Sequence, residues 1–530
     1  MPTLDAVRVK NLRSLGDTGF IPQTPLTVLV GKNSAGKSTY ARIFPLFRQS
    51  VDEAKRGPLL WWGRLVDYGS FGEAVNRRSN HKEIEFCFRI SMSRDDRIGR
   101  VSGRSDKSIA PFFLEGAVDV SMAVRTGEKS SYVASIGLKA FGSTCVMRFD
   151  KPGVLEDCQV GDNVWRLKKE RDLTAVFVPG KVLSRPVFLR KRSAESSPLF
   201  RWEEQNPLTD ELVEYLRLHF LHGNVSLENA QRIASRIRLG HPSEVFEHLR
   251  LMATAPKSFQ ENLRLHPANS AIFRRLLDLT LASRFGMIVE RVDAVLYEFF
   301  HGVKYLEPLR ATAQRYYRIQ ELAVEEIDSK GANIAVFLES LSRGMQGEFK
   351  QWMEKHFGLA VEIESAGGHL AVKLRQDRCS ASTNLADMGF GFSQVLPIAV
   401  QLWAARRGAG VMRARPRGLA ATSCVVIEQP ELHLHPDFQA RLADVFVAAA
   451  STDHLDGTPP ARLIIETHSE SLINRLGQLV ADGVIPASDI QIILFDQRDP
   501  DSDTVVSTSL FDQEGILSNW PLGFFQPTVG

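Results

Sequence analysis

Cysteine is scarce in this chain. Five occur among 530 residues, at 87, 145, 158, 379 and 424, and no two form a CxxC pair. That excludes a disulfide scaffold and a cysteine zinc site, and it fits a reducing compartment. Long hydrophobic runs are missing too. The longest, around Leu396 to Ala405 and Ala420 to Ile427, fall well short of the ~18 residues that a membrane span needs. The opening Met1-Pro2-Thr3-Leu4-Asp5-Ala6 is not a secretory signal. A cytoplasmic location without membrane contact is therefore expected. Nor is there an excess of one charge: 65 Lys and Arg against 62 Asp and Glu leave a formal +3. This balance argues neither for nor against nucleic acid. No internal repeat appears, and no heptad run is long enough for an extended coiled coil. What is left is ordinary globular composition, 44% hydrophobic and 24% charged. The length suggests roughly two to four structural units.

One motif stands out from that background. Gly31-Lys32-Asn33-Ser34-Ala35-Gly36-Lys37-Ser38 is a complete phosphate-binding loop. The apolar run Leu26-Thr27-Val28-Leu29-Val30 predicts a buried strand before it, and the residues from Thr39 onward predict a helix. Strand, glycine loop and helix are the context the motif requires. Glycines let successive N–H groups point at a phosphate, and the helix start adds partial positive charge. Lys37 is expected on the β- and γ-phosphates and Ser38 on Mg²⁺. Gly31, Asn33, Gly36, Lys37, Ser38 and Thr39 are thus the candidate nucleotide contacts, for ATP or GTP.

Periodicity divides the remaining chain. Residues 4 to 10 and 27 to 30 look like the first strands of one sheet. Alternation from about 82 to 190 predicts strands, and helical spacing takes over from about 208 to 300. A helical stretch is expected over 335–357 and strands over 360–363 and 369–374. A helix over 393–406 follows, then strand–loop–helix units over 424–449 and 463–479. Closing strands are expected over 490–495 and 504–510. The expected units are 1–80 (first half of a nucleotide-binding head, with the phosphate loop), 81–200 (β-rich lobe), 201–330 (helical insertion), 331–500 (second half of the head) and 501–530 (tail module). The fold class is α/β, with one head assembled from both chain ends.

Three later motifs complete the expected site. Ser423-Cys424-Val425-Val426-Ile427-Glu428-Gln429-Pro430-Glu431 is an apolar strand ending in carboxylates. Glu428 is the candidate to share Mg²⁺ with Ser38. Ile465-Glu466-Thr467-His468-Ser469 is a second such strand end. A neutral His468 could contact the γ-phosphate or hold the attacking water. Asp387-Met388-Gly389-Phe390-Gly391-Phe392-Ser393-Gln394 is a glycine-rich helix start, an anion site in its own right or simply a helix capped by Ser393. His433 and His435 are too few for zinc. Asp496, Asp499, Asp501 and Asp503 read as a polar turn more readily than as a two-metal nuclease centre. Residues 166 to 192 hold nine Lys or Arg against two acids, either a phosphate-binding patch or a solvated β face. Residues 201 to 320, with sixteen basic and fourteen acidic side chains, show no such bias.

Together these motifs resemble the ABC-type ATPase heads of the recombination, SMC and overcoming-lysogenization-defect group. Glu431-Leu432-His433-Leu434-His435-Pro436 resembles prokaryotic ATPases of the Septu and PARIS anti-phage defence type. Tyr305-Leu306-Glu307-Pro308-Leu309-Arg310, Arg315-Tyr316-Tyr317 and Gly515 to Phe525 also look like segments of that group. The likeness covers about 1–75 and 300–530. It implies ATP and Mg²⁺ as ligands and a homodimer of ATP-bridged heads. In it Gly391 and Ser393 act on the partner's nucleotide, His468 is the switch histidine, and Arg13 approaches the phosphates. It further implies a defence sensor or scaffold whose separate effector is a nuclease or toxin, with DNA or RNA as a further ligand. The group usually places a second acid after the strand carboxylate, as the water-activating base. Gln429 stands there in this chain, and a carboxamide cannot take a proton at neutral pH. Glu431 or the phosphate would have to accept it, so slow hydrolysis is expected. A stand-alone DNA-repair ATPase and a non-hydrolysing regulator remain the alternatives.

Overall fold

Strands from the two chain ends share one six-stranded sheet. Its order is Val303–Leu306, Cys424–Glu428, Arg462–Glu466, Leu26–Gly31, Ile490–Asp496 and Val505–Ser509. The first five run parallel and the last is antiparallel. The N-terminal loop strand thus lies between two strands from the C-terminal part, so the α/β head is built from both ends as expected. In this computed structural model the described residues are 2–520, apart from 94–96, 99–111, 129, 152–153, 166–172, 179, 192–201, 205, 222–224, 253–254, 320–323, 325, 377–380, 408–422, 452–460, 498 and 500–501.

The loop strand is buried at every position, as an apolar run in a parallel sheet covered on both faces should be. Alternation sends its side chains into two cores. Val28, Val30, Ile427, Ile465 and Ile492 pack with Leu442, Phe446 and Leu472 of the helices Pro436–Ala450 and Glu470–Ala481. Leu29, Val426, Ile464 and Ile493 join Tyr40, Phe44 and Phe47 beneath the phosphate loop.

Thr3–Leu12 does not join that sheet. It lies in a nine-stranded sheet with Glu83–Met92, Gly116–Thr126, Ser131–Ala140, Ser143–Lys151 and Val154–Val160 among its members. The expectation of a single first sheet is corrected here. Thr3–Leu12 alternates between buried and partly exposed positions, which suits an antiparallel sheet with one open face. Helices follow, from Pro207–His219 to Phe285–His301. Asn206, Ser226 and Ser270 cap three of them by accepting backbone N–H bonds. The expected helix over 335–357 is two, Ile334–Ser340 and Arg343–Phe357, because Ser342 caps a new start through the Met345 N–H.

Asp503 accepts bonds from Arg78 and Asn76, so it ties the closing strands to the N-terminal region. Asp501 lies outside the described residues, and among the described residues no cluster of three metal-binding side chains exists. Of the nine basic residues of the 166–192 stretch, 166, 168, 169, 171 and 192 also lie outside them; of its described part, Arg185 pairs with Glu204 at 3.5 Å and Phe188 is buried. No described helix is long and apolar enough to cross a membrane.

A buried ion cluster fastens the loop helix to the sheet edge. Arg48, on Ile43–Asp52, meets Glu326 at 2.7 Å, and Lys304 on the edge strand meets the same carboxylate. Burial pushes the Glu326 carboxyl up, but Lys304 and Arg48 outweigh it and hold it at about 2, below the ordinary 4.5. A depressed acid stabilises the fold above its unfolded pKa and loses that contribution as pH falls toward the folded one. Glu326→Gln should therefore cost about 2 kcal/mol at pH 7. Melting curves should show the gap to wild type narrowing progressively on acidification from about pH 5 and closing only near and below about pH 2.

Candidate functional site

The phosphate loop takes its shape from two close approaches. A Cβ at Gly31 would lie 2.3 Å from the Phe495 carbonyl oxygen on the adjoining strand. Gly36 has φ of 93° and sits against Leu15 and Ser14, where a Cβ would fall 2.7 and 2.8 Å from their side chains. The helix begins at Lys37 and breaks after Ala41 before resuming as Ile43–Asp52. Pro45 lacks the N–H that would reach the Ala41 carbonyl.

Lys37 is buried, and its Nζ donates to the carbonyls of Gly31 and Lys32 at 2.9 and 2.7 Å. Burial draws its pKa down, against the pull of Glu466 and Glu431. The Tyr68 hydroxyl donates to the Thr39 carbonyl at 2.6 Å, and the Arg13 guanidinium lies 4.7 Å from the Tyr68 ring centroid. Arg13 thus reaches the loop helix through Tyr68. Asn33 is exposed at the loop tip.

Parallel register sets Glu428 beside Glu466 at neighbouring strand ends. The Ser38 hydroxyl donates to Glu466 Oε1 at 2.8 Å. Glu466 Oε2 is buried and has no hydrogen-bond partner among the described residues. Burial, then the charge of Glu428, pushes the Glu466 carboxyl up to about 7. Glu428 has different company. Arg42 donates to both of its oxygens at 2.7 Å, the Tyr305 hydroxyl donates at 2.9 Å, and Arg310 holds its backbone carbonyl at 2.9 Å.

Gln429 adopts a left-handed φ of 44°, with its N–H on the Glu466 carbonyl at 2.8 Å. Such a conformation in a non-glycine residue costs about 1–3 kcal/mol and is typical of functional turns. Glu431 has both oxygens engaged: one accepts the His468 N–H at 2.7 Å, the other the Thr467 hydroxyl at 2.8 Å. It braces the turn that carries His468. Burial, helped by Lys37, lowers the His468 pKa. Its Nε2 is buried without a partner among the described residues. Glu431→Gln would set an amide N–H₂ against a donor it now accepts from. A loss of about 2 kcal/mol is expected, read by chemical denaturation.

The glycine-rich helix starts at Phe390, three residues before the expected Ser393. Its cap is Gly389 at φ 83°. Ser393 is buried and donates to the Phe390 carbonyl at 2.6 Å. A Cβ at Gly391 would lie 3.1 Å from the His433 carbonyl oxygen. Gln394 and Arg310 exchange hydrogen bonds at 3.2 and 3.4 Å, linking this helix start to the Glu428 strand end. The two histidines have structural roles. His433 packs edge-on against Phe390, and His435 Nδ1 caps Pro436–Ala450.

Over residues 154–474 the chain matches the family model described as "AAA domain, putative AbiEii toxin, Type IV TA system". That span is more than half of the chain. The chain belongs to this AAA-domain family. Glu428, Glu466 and His468 of the AAA domain lie inside the matched span, and the phosphate loop precedes it. No curated protein matches the chain. Similar solved structures include the Smc head domain from Pyrococcus furiosus with the C-terminal domain of ScpA, at 11% identity over 96% of each chain and a TM-score of 0.36. Others are the Pyrococcus yayanosii Smc head, at 12% identity over 97% of this chain and 98% of that one with a TM-score of 0.34, and the Thermotoga maritima SMC head, at 8% identity over 96% and 99% with a TM-score of 0.32.

The AAA-domain site brings together Lys37, Ser38, Glu428, Glu431 and His468, all named from sequence. Arg42, Tyr305, Arg310 and Glu466 also meet there, and the sequence alone assigns them no role. Glu466 had a visible signal: like Glu428, it is an acid ending an apolar run. Arg42 had none beyond lying one helical turn past Ser38.

Proposed function

We propose that this AAA-domain protein binds ATP with Mg²⁺ and closes as an ATP-bridged, ABC-type homodimer. It then serves as the sensor or scaffold of an anti-phage defence complex with a separate nuclease or toxin effector. The observation that carries the nucleotide reading is a pair of buried, unpartnered polar atoms, Glu466 Oε2 and His468 Nε2, next to the loop that holds Lys37 and Ser38. Buried polar atoms are normally paired, so such a pair beside a phosphate loop suits a polar ligand. Lys37, already anchored on two loop carbonyls, would meet the phosphates, and Ser38 with one of the two strand-end carboxylates, Glu428 or Glu466, would hold the metal. Bound Mg²⁺ would neutralise phosphate charge. Neutral His468 would present Nε2 to the γ-phosphate or to water. The exposed turn at Gly389 and Phe390, with Gly391 behind it, would face the partner's nucleotide. Ser393 would support that turn from within.

Hydrolysis would be slow. Gln429 can orient water but not take its proton, and Glu431 could do so only by giving up its hold on the His468 turn. The family's description names a type IV toxin–antitoxin system, which supports a defence role; the separate effector is part of our proposal and does not come from that description. The test is phosphate release by wild type, Lys37→Ala and Gln429→Glu. Low wild-type turnover, background for Lys37→Ala, and a gain of at least ~10-fold for Gln429→Glu are expected. An unchanged Gln429→Glu rate overturns the assignment of that position. Turnover like that of a vigorous DNA-dependent motor overturns the sensor reading.

A further inference from the structure

We infer that Glu466, rather than Glu428, is the carboxylate that joins Ser38 at the divalent cation. The inference rests on the ATP–Mg²⁺ reading above. Three observations lead to it. The Ser38 hydroxyl donates a hydrogen bond to Glu466 Oε1 at 2.8 Å, which leaves the serine lone pairs for a cation. Glu466 is 2% exposed, and its second oxygen has no partner among the described residues. Glu428 has its charge matched by Arg42 on both oxygens and carries Tyr305 as well. A cation at Glu428 would have to displace a guanidinium from a buried, bidentate pair. A cation at Glu466 Oε2 breaks no ion pair or hydrogen bond of that oxygen and supplies its missing partner. Mg²⁺ commonly uses one or two carboxylates together with substrate phosphates and water, so no larger protein cage is needed. Glu466 therefore does two things: Oε1 orients Ser38, and Oε2 is the oxygen left for the metal. Glu428 holds the loop helix in place through Arg42.

The experiment measures Mn²⁺ binding to the full chain in the presence of ATP, by electron paramagnetic resonance. ATP affinity in EDTA is measured alongside. Glu466→Gln keeps the side-chain shape and an acceptor for Ser38 but removes the charge. Its Mn²⁺ affinity should fall at least ~10-fold, with metal-free ATP affinity within ~3-fold of wild type. Glu466→Asp, which keeps the charge one methylene shorter, should fall between the two and serves if Glu466→Gln does not fold. Glu428→Gln should lose thermal stability before it loses Mn²⁺. Wild-type Mn²⁺ affinity in both Glu466 variants, or a larger loss in Glu428→Gln, overturns the inference and leaves ATP binding standing. A wild type that binds no ATP with or without Mn²⁺ overturns the nucleotide reading, and this inference with it.

Discussion

Lys37→Ala is expected to weaken ATP binding by at least ~100-fold while the protein stays folded. Lys37 is 3% exposed, so its ammonium meets phosphate in a poorly screened setting. Its two carbonyl contacts, at 2.9 and 2.7 Å, hold the amine at the mouth of the loop before any ligand arrives. A charge-assisted hydrogen bond to phosphate contributes about 1.5–3 kcal/mol, and more when buried. The same burial lowers the pKa of Lys37, so removing the ammonium also removes a desolvation penalty. The melting temperature of the nucleotide-free variant should thus stay close to that of wild type. The increase that ATP and Mg²⁺ give the wild type should vanish. Calorimetric titration with ATP, paired with thermal melting, reads both. Wild-type ATP affinity in Lys37→Ala would mean that the loop does not serve nucleotide.

Arg42→Ala should act on stability. Glu428 is 1% exposed and relies on Arg42 for charge. Removing one partner of a buried pair leaves an uncompensated ion and costs about 3–5 kcal/mol. Arg42 keeps 29% of its side-chain surface exposed, so the low end applies. Adding Glu428→Gln to Arg42→Ala should recover part of the loss, because the stranded charge is then gone. Denaturant titration of the two single variants and the double variant measures this directly. Additive losses would mean that the pair contributes no coupling.

The parts of the site that could be read from sequence are local ones. Gly31 to Ser38 is legible because glycine spacing and a lysine–serine pair act over a few residues, between a strand and a helix the same residues specify. The strand ends at Glu428 and His468 are legible because an apolar run stopping at a polar residue marks where a buried strand reaches the surface. Thr3–Leu12 lies apart from Leu26–Gly31 although both look like strands of one sheet, because alternation reports how many faces are buried and not which sheet a strand joins. The spacing suggests Ser393 as a cap, yet the helix starts at Phe390, with Gly389 at φ 83° in the cap position.

Sequence alone determined that a phosphate loop opens the chain, that its partner motifs lie about 400 residues later, and that an α/β head must join the two. Tertiary structure decided which acid meets which partner. Glu428 and Glu466 end similar strands, and nothing local distinguishes them. Their fates diverge because parallel register sets them side by side across the sheet, with Ser38 over one and Arg42 over the other. Those contacts span 428 and 386 residues of chain. Pairing over such distances is set by strand order and helix placement, which periodicity along the chain does not carry.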